Sequence, residues 1–199
     1  LSVSLGLPPS YIHDHLTNDP VVLFRLWNYP PQKNPPLEEP IGIDDHTDYG
    51  LVTILKQELP GLQFKSPVYG WMDVPPVEGT LICSAGDLLD RITAGRYKSR
   101  PHRVVLSHTD QSSKPRLSFP CFFDPGWDAH MKPLPLDHLP TLVDGENAEE
   151  RWKHTAYKSL TGQYWQYLAK KLSKVFPQLE GFEFEGARAS SSRFHIKVQ

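Results

Sequence analysis

Glycines at 61, 70 and 79 cut the middle of the chain into apolar runs too short for helices. Residues 51–55, 62–65, 71–74 and 80–84 are such runs, and 102–107 (HRVVLS) and 116–123 (RLSFPCFF) follow the same pattern. Short β-branched and aromatic runs between turn residues predict strands. The prolines agree: there are 20 in 199 residues, roughly twice ordinary usage. Proline breaks helices and collects in turns and at strand ends. A mainly β chain is expected, built as a sandwich, jelly roll or small barrel.

The flanks have a different texture. Leu5, Leu7, Tyr11, Ile12 and Leu16 supply one face of a helix over the first sixteen residues. Residues 21–27 (VVLFRLW) predict a strand, and 29–40, with five prolines, a loop. Residues 87–93 predict one helical turn or a bend. Asn147, three residues before Glu150, resembles a capping box. Tyr157, Leu160, Tyr164, Leu168, Leu172 and Val175 then fall at spacings of 3, 4, 4, 4 and 3. That predicts a long amphipathic helix ending near Phe176, before Pro177, and covering the outside of a sheet. The last twenty residues, with Ser190, Ser191 and Ser192, predict a strand-poor tail.

A length of 199 residues suits one domain with an appendage. The expected division is a helical remnant over 1–20, a β core over 21–125, and a loop, helix and tail over 126–199. Lys+Arg 21 against Asp+Glu 23 leaves a net charge of −2, which argues against a nucleic-acid partner. No basic segment leads into an apolar run, and no run approaches membrane-spanning length. A cytoplasmic monomer without a membrane partner is expected. Cys83 and Cys121 lie in strand-like runs and are expected as buried free thiols in a reducing compartment.

The sharpest chemical signal is the segment Asp44-Asp45-His46-Thr47-Asp48. On extended backbone His46 and Asp48 point to one side, so both can reach one metal ion. Among nine histidines, His102 is the best third ligand, because it opens an apolar strand. Two histidines and one carboxylate on one side of a metal leave open positions opposite, the facial arrangement of non-haem Fe(II) oxygenases. An Fe(II) ion with one aspartate keeps one positive charge. A chelating 2-oxo acid neutralises it through the keto oxygen and adjacent carboxylate. A second carboxylate, as in 2-oxoglutarate, then needs its own cation in a dry pocket, and arginine binds carboxylate bidentately. Arg116 and Ser118, two apart on one strand face, offer that pair.

The stretches HTDYGLVTIL, GLQFKSPVYGWMDVPP, GTLICSAGDLLDRITAGRYKSRPHRVV and RLSFPCFFDP, beginning at His46, Gly61, Gly79 and Arg116, carry a resemblance. The chain resembles the isopenicillin N synthase-like branch of the Fe(II)/2-oxoglutarate-dependent dioxygenases. The resemblance covers roughly residues 21–125. It implies a double-stranded β-helix (jelly-roll) core with an N-terminal helix and a long C-terminal covering helix. It implies His46, Asp48 and His102 as catalytic iron ligands, and Arg116 and Ser118 as the pair holding the distal carboxylate of 2-oxoglutarate. Tyr29, in Asn28-Tyr29-Pro30-Pro31, resembles the tyrosine that hydrogen-bonds the same carboxylate. Trp27 and Ala94 stand where the family commonly has Asn. Phe122 falls where the barrel interior meets substrate.

The implied reaction uses Fe(II), 2-oxoglutarate and O2. It hydroxylates or otherwise oxidises a small organic substrate and releases succinate and CO2. Two alternatives stay open. Isopenicillin N synthase and aminocyclopropane carboxylate oxidase keep these residues yet run without 2-oxoglutarate. A non-catalytic jelly-roll binding module is the other. Relatives in this branch are considerably longer, so the chain reads as the catalytic barrel with most of the N-terminal region absent.

Overall fold

The computed structural model describes residues 1–31, 41–106, 114–143, 145–153 and 155–176. The chain divides into two compact units, Val22–Asp124 and the pair of segments Leu1–Val21 and Pro125–Gln199.

Among the described residues, nine strands form two antiparallel sheets. In chain order they are β1 (Pro20–Phe24), β2 (Trp27–Tyr29), β3 (Ile41–His46), β4 (Val52–Gln57), β5 (Leu62–Ser66), β6 (Gly70–Asp73), β7 (Ile82–Ala85), β8 (His102–Val105) and β9 (Arg116–Gly126). Helix α1 (Asp87–Ile92) lies between β7 and β8. One sheet runs β1-β9-β4-β7, with β2 also paired to β9, and the other runs β3-β8-β5-β6. This interleaved order is the jelly-roll architecture.

Alternation decides what the sheets enclose. Tyr29, Leu62 and Val104 form the buried centre, packed by Ile43, Leu55, Phe64, Val74, Ile82 and Leu106 from both sheets. The strands predicted at 51–55, 62–65, 71–74, 80–84, 102–107 and 116–123 are all present, shifted by one to three residues at their ends. Ser107 and residues 32–40 of the predicted loop lie outside the described residues. The strand predicted over 21–27 is two strands, β1 and β2, parted at Arg25 and Leu26.

Other expectations need correction. Cys83 is exposed and Cys121 half-buried, both as free thiols. Both pair opposite Ile54, on the face of the sheet away from the core, and Cys83 sits on edge strand β7. The N-terminal segment is not one continuous helix. A 3-10 turn, Val3–Leu5, stops at Gly6, and a wide turn of π-type helix follows at His13–Thr17. Leu5, Leu7, Ile12 and Leu16 are nevertheless buried, so these apolar positions face the interior without a continuous helix to carry them.

The C-terminal helical pattern is also interrupted. Asn147 caps α2 (Ala148–Trp152), its side chain accepting from the Glu150 amide at 3.3 Å. A second helix, α3, spans Tyr164–Val175. Tyr157 and Leu160 fall in the irregular stretch between them, which ends at Gly162 with φ +79°. That left-handed glycine resets the chain before α3 begins. Tyr157 and Tyr164 are fully buried and Tyr167 nearly so, so the apolar period marks burial across the break. Within the same unit the Tyr167 hydroxyl accepts from the Thr161 amide and shares its one hydrogen between the Ser159 and Thr161 carbonyls. His154 and the C-terminal tail lie outside the described residues. Among the described residues no helix is long and apolar enough to cross a membrane.

Candidate metal and carboxylate site

Strand β3 ends on His46, which pairs directly with His102 at the start of β8. The register between these strands shifts twice before that pair, at Ile41/Ile43 and Ile43/His46. Such irregularities re-aim side chains beside sites. The chain then turns, and Asp48 enters the interior at 7% exposure. One ligand atom from each of His46, Asp48 and His102 lies within 4.8 Å of the others. Nε2 of His102 is 3.6 Å from Oδ1 of Asp48.

Both imidazoles are oriented the same way. His46 Nδ1 faces the Asp44 carbonyl at 2.8 Å, and His102 Nδ1 faces the Arg100 carbonyl at 3.2 Å. A ring nitrogen facing a carbonyl carries the hydrogen and donates it. Each Nε2 is left with its lone pair, the tautomer a metal ligand needs. Burial, opposed by the Asp48 charge, lowers the pKa of His102 and favours that neutral ring. Ser84 Oγ donates to Oδ2 of Asp48 at 3.3 Å, which leaves Oδ1 toward His102. One carboxylate oxygen and two imidazole nitrogens suit a divalent transition metal.

Helix α1 brackets the triad. Its first amides have no partner inside the helix. Asp87 N donates to the Asp48 carbonyl at 2.8 Å, and Leu88 N reaches the Tyr49 and Gly50 carbonyls at 3.3 and 3.2 Å. Asp87 also accepts from Thr47 Oγ1 at 3.1 Å. Further along, the fully buried Asp90 accepts from Ser99 N at 2.8 Å, three residues before His102. One short helix thus fixes both segments that supply the triad.

The second cluster sits on β9 and its neighbours. Arg116 is opposite Tyr29, and Ser118 is opposite both Trp27 and Gln57. Arg116, Ser118, Tyr29 and Gln57 are all buried. Arg116 Nε donates to the Pro60 carbonyl and Nη2 to Gln57 Oε1, both at 2.9 Å. Gln57 is itself held, donating to the Val74 carbonyl at 2.7 Å. The guanidinium carbon is 5.1 Å from the Tyr29 ring centre. Gly61 makes room for this arrangement. It has φ +122°, and a Cβ there would collide with the Val105 carbonyl oxygen and lie 3.3 Å from Arg116 Nε.

Among the described residues, two buried polar atoms here make no hydrogen bond of good geometry, Nη1 of Arg116 and the hydroxyl of Tyr29, although Tyr29 lies near enough to Arg116 and Ser118 to feel both. Burial lowers the Arg116 pKa, with Tyr29 opposing, and burial raises that of Tyr29. A buried cation with a free donor beside a free hydroxyl fits an incoming carboxylate. The residues present therefore fit a metal at one cluster and a carboxylate at the other.

Phe122 is half-buried, opposite Thr53 on β4, which is in turn opposite Ser84 on β7. Sequence reasoning missed Gln57, Ser84, Asp87 and Asp90. The available signal was polar residues at the inward phase of apolar strands, Gln57 after Thr53 and Leu55, and Ser84 after Ile82.

Residues 17–125 match the family described as the 2OG-Fe(II) oxygenase superfamily. A protein named "Probable iron/ascorbate oxidoreductase" from Dictyostelium discoideum is 38% identical over 196 residues, covering 90% of this chain and 52% of the relative. A 1-aminocyclopropane-1-carboxylate oxidase from Dictyostelium mucoroides is 35% identical over 206 residues, covering 89% and 54%. The chain thus spans about half the length of the curated relatives it matches. Among solved structures, a full-length Neurospora crassa protein in complex with alpha-KG aligns with a TM-score of 0.69 and 28% identity, over 88% of this chain and 50% of that one. JOX2 in complex with 2OG, Fe and JA aligns with a TM-score of 0.60 and 26% identity, over 85% and 49%. With more than half its length matched to the family, the chain belongs to the 2OG-Fe(II) oxygenase superfamily.

Proposed function

We propose that this chain is the catalytic part of an oxygenase that couples oxidation of a small organic substrate to decarboxylation of 2-oxoglutarate. Membership in the family brings Fe(II), 2-oxoglutarate and O2 as cofactor and cosubstrates. The observation that carries the reading is the pairing of a three-donor cluster with a buried arginine that has one free N–H group.

When bound, the iron would supply the redox chemistry by which 2-oxoglutarate, O2 and the substrate give succinate, CO2 and the oxidised substrate. The chain's own groups position and protect. His46 and His102 present Nε2 because their Nδ1 hydrogens are committed to backbone carbonyls. Asp48 presents Oδ1 because Ser84 holds Oδ2. Arg116 offers Nη1 and Tyr29 its hydroxyl to the distal carboxylate, with Nε and Nη2 anchored by Pro60 and Gln57. Leu55, Phe64, Ile82 and Val104 keep the enclosed space poor in water.

The test is anaerobic titration of Fe(II)-loaded protein with 2-oxoglutarate, followed by succinate measurement after air is admitted. A visible charge-transfer band and one succinate per 2-oxoglutarate consumed are expected. The similarity to 1-aminocyclopropane-1-carboxylate oxidases favours a second reading, an Fe(II) oxidase that runs without 2-oxoglutarate. Substrate oxidation without succinate would establish that one instead.

A further inference from the structure

Strand register brings three rings into one row. His46 on β3 is opposite His102 on β8, and His102 is opposite Phe64 on β5. Phe64 has the same phase along β5 as the buried Leu62, so it faces inward and packs against the core. Side chains directly opposite on neighbouring strands come into contact. Here the contact is a stack: the Phe64 and His102 rings have centroids 4.8 Å apart and planes inclined by 22°. His46 also lies close to His102, at 4.3 Å, but tilted by 52°.

The two imidazoles are therefore held unequally. Nδ1 of His46 has the shorter contact with its carbonyl, 2.8 Å against 3.2 Å for His102. A hydrogen bond at one ring atom still lets the ring rock about that atom. A flat neighbour removes this freedom, because the stacked ring cannot leave its plane without losing the contact. His102 has such a neighbour, and the exposed His46 has none among the described residues. With its plane held, His102 keeps Nε2 toward Asp48, 3.6 Å from Oδ1.

We infer that Phe64 is a positioning residue, which presets the His102 ring as the fixed ligand around which a metal draws the freer His46. A leucine at this place would fill much of the same space and leave the imidazole plane unconstrained. Outer partners that orient a ligating histidine typically change metal affinity by roughly 10–100-fold. The inference deepens the metal reading of the triad and rests on it, but it is independent of 2-oxoglutarate.

The test compares the wild type with Phe64→Leu, Phe64→Tyr and Leu106→Ala. Leu106 packs on the same core beyond the end of β8 and serves as the control for lost packing alone. Carbon-13 relaxation of the imidazole carbons reads ring mobility in the metal-free protein, and visible titration with Co(II) reads metal affinity. In the wild type the His102 ring is expected to be more rigid than that of His46. Phe64→Leu should bring His102 to the mobility of His46 and weaken Co(II) binding about tenfold. Phe64→Tyr, which keeps the ring, should preserve both. Leu106→Ala should lower the melting temperature and move neither. The inference is overturned by a His102 ring no more rigid than His46 in the wild type, or by unchanged Co(II) affinity in Phe64→Leu. It is also overturned if Phe64→Tyr binds as weakly as Phe64→Leu, or if Leu106→Ala reproduces the same losses. Failure of the wild type to bind Co(II) strikes the metal reading instead, and ring relaxation in the metal-free wild type still decides the role of Phe64.

Discussion

The two polar clusters of the jelly-roll interior are built on opposite plans. At the triad, the imidazoles are oriented locally, each leaning on a carbonyl two residues before it, and Asp48 takes distant hydrogen bonds, from Ser84 and the first amide of α1. His46 is exposed. At Arg116 every support is distant in sequence, with Pro60 and Gln57 lying 56 and 59 positions away. All four side chains there are buried. The difference would suit the two ligands proposed for these clusters. A metal gathers its donors by strong bonds of its own, so approximate placement is enough. A carboxylate gains only a few hydrogen bonds, so the receiving cation must be held in advance.

The strongest way to break this contrast is at the triad itself. Asp48→Ala is expected to weaken Fe(II) binding by more than the roughly 10–100-fold loss typical of an outer partner. Turnover should fall to background, as measured by anaerobic metal titration and succinate assay. Arg116→Met comes next. Removing one partner of a buried charge pair costs about 2–5 kcal/mol, so 2-oxoglutarate affinity should drop about 30-fold or more while Fe(II) affinity holds. Gln57→Leu tests whether the arginine is held in advance. A hydrogen bond to a charged group contributes about 1.5–3 kcal/mol, so a loss of roughly tenfold in 2-oxoglutarate affinity is expected, again with Fe(II) binding unmoved. Equal losses in both titrations for Gln57→Leu would show that the two clusters are one unit. The smallest effect concerns stability alone. Ala94, after α1, sits at φ +51°, a left-handed conformation costing a non-glycine residue about 1 kcal/mol. Ala94→Gly should raise the melting temperature by about 1–3 °C and leave both titrations as they were.

Legibility in the sequence follows the same divide. His46 and Asp48 are two apart, and Arg116 and Ser118 two apart, so pattern alone could pair them. The short strands were visible because glycine and proline mark their ends. Gln57 was not visible as a partner of Arg116, since only the β4–β9 register joins them. Strand β3 escaped notice because Gly42, Asp44 and Asp45 break its apolar alternation. Of the predicted helical face, Tyr157 and Tyr164 are buried and Leu160, Leu168 and Leu172 half-buried, but helical periodicity cannot reveal that Gly162 resets the backbone. For the same reason the cysteines were misplaced: an apolar strand has two faces, and nothing local says which one meets the core.

The bracket formed by α1 has a consequence for how the protein would lose its metal. Six residues of helix are too few to persist alone in water. Here they are fastened at one end to the Asp48 turn and at the other to the segment leading into His102. Unwinding α1 would release both segments together, and a metal spanning them would hold the helix closed. Amide hydrogens of Asp87, Leu88 and Ser99 should therefore exchange with solvent more slowly once Fe(II) or Mn(II) is added. Demetallation and helix opening would then be one event with a single rate, and chelators would act on the opened form.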